Sequence, residues 1–176
     1  MTMRPTPVLA ALAIAAAAPV SAAPTLTIPP STAFALRIVD LHNRVRSAAG
    51  VGPIAWDPAL AAAADQWAAE LARTGRWGHS PNAMRPGQGE NLWMGTRGAF
   101  SLDQMVGSWA GEGRWFAPGR FPNVARTGDW SQVRHYTQMI WRGTSRVGCA
   151  LRSSRSNDYL VCRYSPPGNV VGVMVP

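Results

Sequence analysis

From residue 34 onward, apolar side chains recur with the spacing of an amphipathic helix. They are separated by alternating steps of four and three residues and therefore lie on one helical face: Phe34, Ile38, Leu41, Val45 and Ala48. Ser31 or Thr32 could cap the start of this helix, and Gly50 could end it. The pattern predicts a first helix between these residues.

Capping residues and apolar spacing predict two further helices. Asp57 can act as the N-cap of the second helix, with Pro58 in its first turn and Gly75 after its end. The apolar face of this helix carries Leu60, Ala64, Trp67 and Leu71. A third helix is predicted to begin at Ser101, and its inward-facing residues are Leu102, Met105, Val106 and Trp109.

The C-terminal part of the chain has the pattern of β-structure. Two strand-like runs, residues 147–151 and 159–164, flank the polar segment 152–158 and predict a hairpin. Glycine and proline interrupt residues 76–98, which predicts loops or short strands, and they also mark residues 114–129 as a surface loop. Helices that precede a hairpin favour an α+β fold.

The N-terminus has the layout of an export signal. Arg4 precedes an almost wholly apolar run from residue 8 to residue 20, and small residues follow it. The run is too short for a comfortable membrane span, although a retained anchor is the alternative. We interpret residues 1–23 as a cleaved signal peptide, residues 24–31 as a leader and residues 32–176 as one domain. This predicts a secreted protein, extracellular or periplasmic, with no transmembrane segment after signal removal.

The charge balance favours some partners over others. The formal net charge is +8, and the chain contains no lysine, so arginine supplies the whole basic excess. Such a balance favours anionic surfaces, which makes an anionic envelope surface a candidate partner. The arginines are scattered from Arg37 to Arg163 without a basic stripe or a known binding motif, which argues against nucleic acid.

The two cysteines, Cys149 and Cys162, lie in the two strands of the predicted hairpin. In an oxidising compartment, cysteines that face each other across neighbouring strands form a disulfide. Closing a loop of this size stabilises the folded protein by about 3 kcal/mol. Their spacing fits no common zinc pattern, and a free thiol pair is the remaining alternative.

Two long motifs resemble the signatures of a known family. The first, residues 134–144, contains His135 followed by Tyr-Thr-Gln, two aliphatic residues and Trp141. The second, residues 159–170, contains Cys162 and the run Pro-Pro-Gly-Asn. Both resemble signatures of the CAP superfamily, which is named after cysteine-rich secretory proteins, antigen 5 and plant pathogenesis-related 1. Two shorter motifs, at residues 42–46 and 89–92, extend the resemblance to about residues 32–176.

The resemblance implies a fold and a site. The fold is a three-layer α/β/α sandwich with a small antiparallel sheet between helices. The site is a cavity lined by two histidines and two glutamates from four segments, and the matching residues are His79, Glu90, Glu112 and His135. These residues could hold a divalent ion such as Zn²⁺, with His79 and His135 as metal ligands, or they could form a metal-free hydrogen-bonded network.

A further motif of the family, His42, Asn43 and Arg46, is structural by resemblance. We predict that Asn43 and Arg46 hold the first helix against the core through bonds to backbone groups. We also predict that Tyr136 and Trp141 belong to the core and do not stack on a ligand.

Three functions are compatible with these features. By resemblance, our prediction is a secreted binding module for a lipid, a sterol or another envelope ligand, with a divalent metal as an optional cofactor. The first alternative is a metal-dependent hydrolase or protease in which Glu90 or Glu112 is the general base, with a weaker serine variant at Ser80 or Ser131. The second alternative is a secreted factor that contacts another protein through residues 114–129. Because no catalytic motif lies beyond the His/Glu cavity, we predict that the protein is not an enzyme.

Overall fold

The computed structural model describes residues 1–2 and 30–176. The rest of the predicted signal peptide, and the predicted leader up to residue 29, lie outside the described residues, so their boundaries stay predictions. Within the described ranges, no helix has the length and apolar character needed to cross a membrane.

Four α-helices and six strands form in the described part of the chain. In chain order they are α1 (Pro30–Ala48), β1 (Ala55–Trp56), α2 (Pro58–Thr74), β2 (Gly89–Thr96), α3 (Leu102–Gly111), β3 (Gly119–Arg120), α4 (Arg134–Met139), β4 (Arg146–Ser153), β5 (Asn157–Ser165) and β6 (Met174–Val175). Short 3₁₀ turns occur at Asn82–Met84, Glu112–Trp115 and Trp130–Gln132.

The main sheet has the strand order β1-β4-β5-β2. The predicted hairpin is β4 and β5, which pair antiparallel, while β2 pairs antiparallel with the other edge of β5 and β1 pairs parallel with β4. Cys149 lies directly opposite Cys162, and the predicted disulfide is present. A separate two-stranded sheet joins β3 to β6.

The sheet is covered by helices on both faces. As a result, β5 is buried along almost its whole length. On one face, residues of α1 and α3 pack with Cys149, Leu160 and Cys162. On the other face, the small side chains of α2 pack with Ala150 and Val161. This is the layered α/β/α arrangement that the family resemblance implies.

Local signals predict α2 correctly. Asp57 accepts hydrogen bonds from the N–H groups of Ala59 and Leu60 at 2.8 and 3.2 Å, and Gly75 ends the helix in the left-handed conformation with φ 69°. A side chain on Gly148 of β4 would collide with the backbone at the start of α2. The first turn of α2 therefore lies directly against the sheet.

The prediction for α1 is correct in type but wrong at its start and at the centre of its buried face. The helix begins at Pro30, so residues 31 and 32 lie inside the first turn instead of capping it. Its most buried residues are Ile38, His42 and Arg46, whereas Ala48 is exposed. Apolar periodicity could not find this face because two of its three residues are polar side chains with distant bonding partners.

Two segments that were predicted as loops contain more structure. β2 is eight residues long and pairs with β5 along its full length. The segment 114–129 includes β3 and contributes three buried side chains, Phe116, Phe121 and Val124, to a second core cluster with Trp141 and Val175. The surface-loop prediction for residues 114–129 is therefore wrong in part, because the partners that bury these side chains come from distant parts of the chain.

Candidate functional site

A cavity of about 370 Å³ lies between the loop after α2, the start of β2, the start of α4 and the turn after β5, and Phe121 and Trp130 complete its lining. We call it the histidine cavity, because both His79 and His135 line it. Glu90 also lines it, whereas Glu112 lines a separate depression beside Gly111 and Trp115. The structure therefore brings three of the four predicted residues to one cavity and places the fourth behind His135.

The first His/Glu pair is part of a buried ionic network. Nδ1 of His79 lies 2.7 Å from Oε1 of Glu90, whose side chain is fully buried. Ser80 donates to the same carboxylate twice, from its backbone N–H to Oε1 at 3.0 Å and from its hydroxyl to Oε2 at 2.9 Å. Glu90 on β2 lies directly opposite Arg163 on β5, and Nε of Arg163 is 3.0 Å from Oε2.

These contacts keep Glu90 ionised. Burial alone would raise the pKa of Glu90, but the hydrogen bond from His79, the charge of Arg163 and the bonds from Ser80 together hold the pKa below its usual value. Nε of Arg163 makes an ion pair with Glu90 without the angle of a hydrogen bond, while Nη2 donates to the hydroxyl of Ser80 at 3.0 Å. Arg163 was not predicted as a site residue, and Ser80 was predicted only as a candidate nucleophile and not as a partner of Glu90.

The second His/Glu pair forms at the start of α4. Nδ1 of His135 lies 2.6 Å from Oε1 of Glu112. The other carboxylate oxygen accepts the backbone N–H groups of His135 and Tyr136 at 2.9 and 3.1 Å. These amides belong to the first turn of a helix whose N-cap residue, Val133, offers no side-chain cap. Glu112 therefore caps α4 while it orients the ring of His135.

Both pairs leave the same ring atom available. An ionised carboxylate only accepts hydrogen bonds, so a neutral histidine paired through Nδ1 carries its hydrogen there. Nε2 then keeps its lone pair, which is the arrangement of histidines that bind metals. Among the described residues, however, no three His, Cys, Asp or Glu side chains converge as a set of metal ligands. The four predicted residues form two pairs and not one four-residue cluster.

His42 occupies the core and not the histidine cavity. Its Nδ1 is 2.8 Å from the carbonyl of Ile38 and its Nε2 is 2.9 Å from the hydroxyl of Tyr164. Burial lowers the pKa of His42 to about 4, so the ring is neutral. The Asn91 amide donates to the Tyr164 hydroxyl at 3.2 Å and to the carbonyl of His135 at 3.1 Å, which connects α1 to the cavity wall.

Arg46 and Asn43 bond to backbone groups outside α1. Arg46 is buried, and its guanidinium donates to four carbonyls: those of Gly52, Met139, Trp141 and Thr144. Asn43 bonds both the N–H and the carbonyl of Ile54, at 2.7 and 3.2 Å. These bonds fasten α1 to the segment that directly follows it and, through Arg46, to the end of α4 and the segment after it.

Gln138 links the two long motifs. Its Oε1 accepts the N–H of Gly168 at 2.9 Å, and its Nε2 donates to the hydroxyl of Thr144 at 3.2 Å. A Cβ atom at Gly168 would lie 2.9 Å from Nε2 of Gln138, and one at Gly89 would collide with Oε1. Glycine at both positions allows β2 and the turn after β5 to approach α4, which closes one wall of the cavity.

Neither candidate serine is arranged as a nucleophile beside an imidazole. The hydroxyl of Ser80 is buried between Glu90 and Arg163. Ser131 lies in a 3₁₀ turn in which its backbone N–H donates to Asp129 at 2.9 Å. Within the described residues, the hydrogen bonds of both serines go to groups other than histidine.

Comparison with known proteins agrees with these motifs. The model of the cysteine-rich secretory protein family, CAP, matches residues 39–164. The chain belongs to the CAP family. It is 38% identical over 135 residues to the PR-1 type pathogenesis-related protein of Sambucus nigra, an alignment that covers 76% of this chain and 77% of the relative. It is 34% identical over 159 residues to peptidase inhibitor 15 of Xenopus laevis, covering 78% of this chain and 59% of that protein.

Solved structures share the fold of this CAP domain. The crystal structure of NaASP2 with Zn²⁺ superposes with a TM-score of 0.66 at 25% sequence identity, and the match covers 80% of this chain and 83% of that one. The α/β/α sandwich implied by the sequence is thus confirmed. The two relatives named above are a pathogenesis-related protein and a peptidase inhibitor, and neither name is that of an enzyme.

Proposed function

We propose that this CAP domain is a secreted binding module whose histidine cavity takes up a divalent cation such as Zn²⁺. One observation carries the proposal: His79 and His135 line the same cavity, and a carboxylate holds the Nδ1 atom of each. Zinc accepts imidazole nitrogen, and two protein ligands would leave coordination positions for water or for a bound ligand. The related NaASP2 structure with Zn²⁺ supports the choice of metal.

In this proposal the glutamates orient the histidines and do not ligate the metal. The bonds of Glu90 and Glu112 to Nδ1 fix the ring orientation and raise the basicity of Nε2. The bound cation would supply a positive charge that attracts electron-donating groups of a ligand.

Calorimetric titration of the chelator-treated, tag-free protein with Zn²⁺ tests the metal site. We expect saturable binding that weakens by about tenfold or more in His79→Ala and in His135→Ala, since each variant removes one of two ligands. The matched control is Glu70→Gln, which removes an exposed carboxylate from α2 and should bind Zn²⁺ unchanged. Equal Zn²⁺ affinity in the parent and both histidine variants would refute the proposal, provided that circular dichroism shows the variants to be folded.

We further propose that the ligand of the module is a lipid. The wall of the histidine cavity includes the rings of Phe121 and Trp130, which pack on each other with centroids 5.3 Å apart. Four exposed apolar residues follow the cavity-lining Asn169, and we call them the C-terminal apolar patch: Val170, Val171, Val173 and Met174. Contiguous exposed apolar surface of this kind is typical of a binding face. The predicted signal peptide and the membership of the cysteine-rich secretory protein family support secretion.

Equilibrium titration with fluorescent lipid analogues tests the lipid proposal. Val171→Ser, in a residue that is 76% exposed, should weaken lipid binding without loss of stability. The control is Leu36→Ser, which changes an apolar residue on α1 that is 56% exposed and should leave lipid binding unchanged. Absence of saturable binding to every lipid class, or an equal effect of the control, would contradict the proposal.

A further inference from the structure

The histidine cavity carries more positive than negative charge. Two arginines, Arg85 and Arg134, line it, and among the described residues that line it Glu90 is the only carboxylate. Glu90 is already paired with the buried Arg163, so its charge does not compensate the two arginines of the wall. Glu112, the other carboxylate of the site, lines a different depression.

Arg85 is the less compensated of the two arginines. It is half-buried, and its described hydrogen bond runs from Nε to the carbonyl of Ser80 at 3.1 Å. The two terminal nitrogens of its guanidinium have no partner among the described protein groups. Arg85 is also close enough to Arg163 that its charge helps to lower the pKa of that arginine, after the larger effect of burial. This end of the cavity therefore holds two guanidinium groups and one carboxylate, which is paired with Arg163.

Arg134 is exposed, and the nearby carboxylate of Asp129 compensates part of its charge. Its charge contributes to lowering the pKa of Asp129, behind the larger effect of the Ser131 hydrogen bonds. The carboxylate of Asp129 is occupied mainly by the N–H of Ser131 at 2.9 Å, with a weaker contact to Gln132 at 3.4 Å. Arg134, at the start of α4, is therefore suited to an auxiliary contact.

We infer that Arg85, assisted by Arg134, binds an anionic group of the ligand inside the histidine cavity. The group is a carboxylate or a phosphate, because the planar fork of a guanidinium matches both through two parallel hydrogen bonds. The inference rests on the proposed function in that it assigns the chemistry of the ligand for the same cavity. It makes Arg85 a specificity-determining residue that distinguishes anionic ligands from neutral ones.

Titration of the metal-free protein with inorganic phosphate and, separately, with acetate tests the inference. The readout is the set of ring NMR signals of His79 and His135, which line the cavity beside the arginines. We expect saturable shifts of both rings, with binding weakened about tenfold or more in Arg85→Gln because two charge-assisted bonds are lost. Arg134→Gln should weaken it about threefold, as expected for an exposed charge. Tighter binding of phosphate or of acetate identifies the source of the anionic group.

The control is Arg155→Gln, which makes the same charge change at an exposed position in the turn between β4 and β5. Arg155→Gln should bind phosphate like the parent; an equal loss in this control, or no saturable ring shift with either anion, would overturn the inference. Arg85→Lys should restore part of the affinity, because it keeps the charge but not the fork.

Calorimetry with Zn²⁺ on the same variants separates this inference from the proposed metal site. Arg85→Gln should retain Zn²⁺ binding, since it removes a cation and no metal ligand. Phosphate binding without Zn²⁺ binding would refute the metal proposal alone, and Zn²⁺ binding without anion binding would refute the anion site alone.

Discussion

The two His/Glu pairs of this CAP domain have the same contact but different support. In both, a glutamate oxygen bonds Nδ1 of the histidine, at 2.7 Å for His79 and 2.6 Å for His135. Glu90 is fully buried between β2 and β5, and its histidine is 44% exposed. Glu112 is 20% exposed, and its histidine is 15% exposed.

The difference shows that one site can depend both on a buried ion pair in the sheet and on the capping of a helix. Glu90 compensates a buried charge, Arg163, that lies opposite it in the sheet. Glu112 has no arginine partner among residues 30–176 but satisfies two backbone N–H groups at the start of α4. The first pair is therefore coupled to the electrostatics of the core, and the second pair is coupled to the formation of a short helix.

The largest expected effect comes from Glu90→Gln. The substitution keeps the shape of the side chain but leaves Arg163 as an uncompensated buried charge, which costs about 3–5 kcal/mol of unfolding free energy. Urea unfolding measures this loss. Glu70→Gln, which breaks the exposed pair with Arg73, is the control and should change stability very little. A small change in unfolding free energy would mean that solvent or another group compensates the charge of Arg163 in the variant.

The buried His42 bonds to Ile38 and Tyr164, with no carboxylate partner in the described part of the chain, and so sharpens the comparison. Its pKa falls from 6.5 in the unfolded chain to about 4 in the folded protein, chiefly through burial. The unfolded state therefore binds the proton first, and stability is lost as the pH falls from about 6.5 to about 4. The loss amounts to about 3 kcal/mol for this residue and levels off below the folded pKa.

Urea unfolding across this pH range, in the parent and in His42→Gln, measures that contribution. The variant should be less stable at neutral pH but should lose less stability on acidification, because it lacks the imidazole of His42. His79 and His135 are common to both proteins and do not contribute to the difference. Parallel pH profiles would show that His42 does not cause the acid sensitivity.

Glu112→Gln should have the smallest effect of the three. It weakens the cap of α4 but leaves no buried charge, so we expect a loss of about 1 kcal/mol in unfolding free energy. Urea unfolding beside Glu90→Gln gives the comparison directly. If the two variants lose equal stability, the distinction between a compensated core charge and a helix cap is wrong.

The candidate site residues could be named from the sequence, but their pairing could not. Motif matching alone selected His79, Glu90, Glu112 and His135 from four segments. No local pattern indicated that Glu90 would lie opposite Arg163, because β2 was not recognised as a long strand. A charged residue inside the apolar β5 run was the one available signal for Arg163.

The helices α1 and α2 also differ in how far local sequence predicts them. For α2, the cap Asp57 and the terminator Gly75 act within a few residues, so the boundaries predicted from sequence are those of the structure. In α1, the buried His42 bonds to the hydroxyl of Tyr164. The buried Arg46 bonds to carbonyls more than ninety residues away, such as that of Met139. Their burial depends on partners that local spacing does not reveal.

By itself, the sequence determined the family, the helix α2, the β4–β5 hairpin with its disulfide, and the residue types of the site. These features depend on short-range capping and turn preferences, and on motifs that can be read without knowing their neighbours. Only the tertiary structure decided that the four site residues form two pairs, that Arg163 supports one of them, and that Arg85 and Arg134 share the cavity. Those arrangements depend on contacts between distant segments, and such contacts exist only once the sheet and helices have packed.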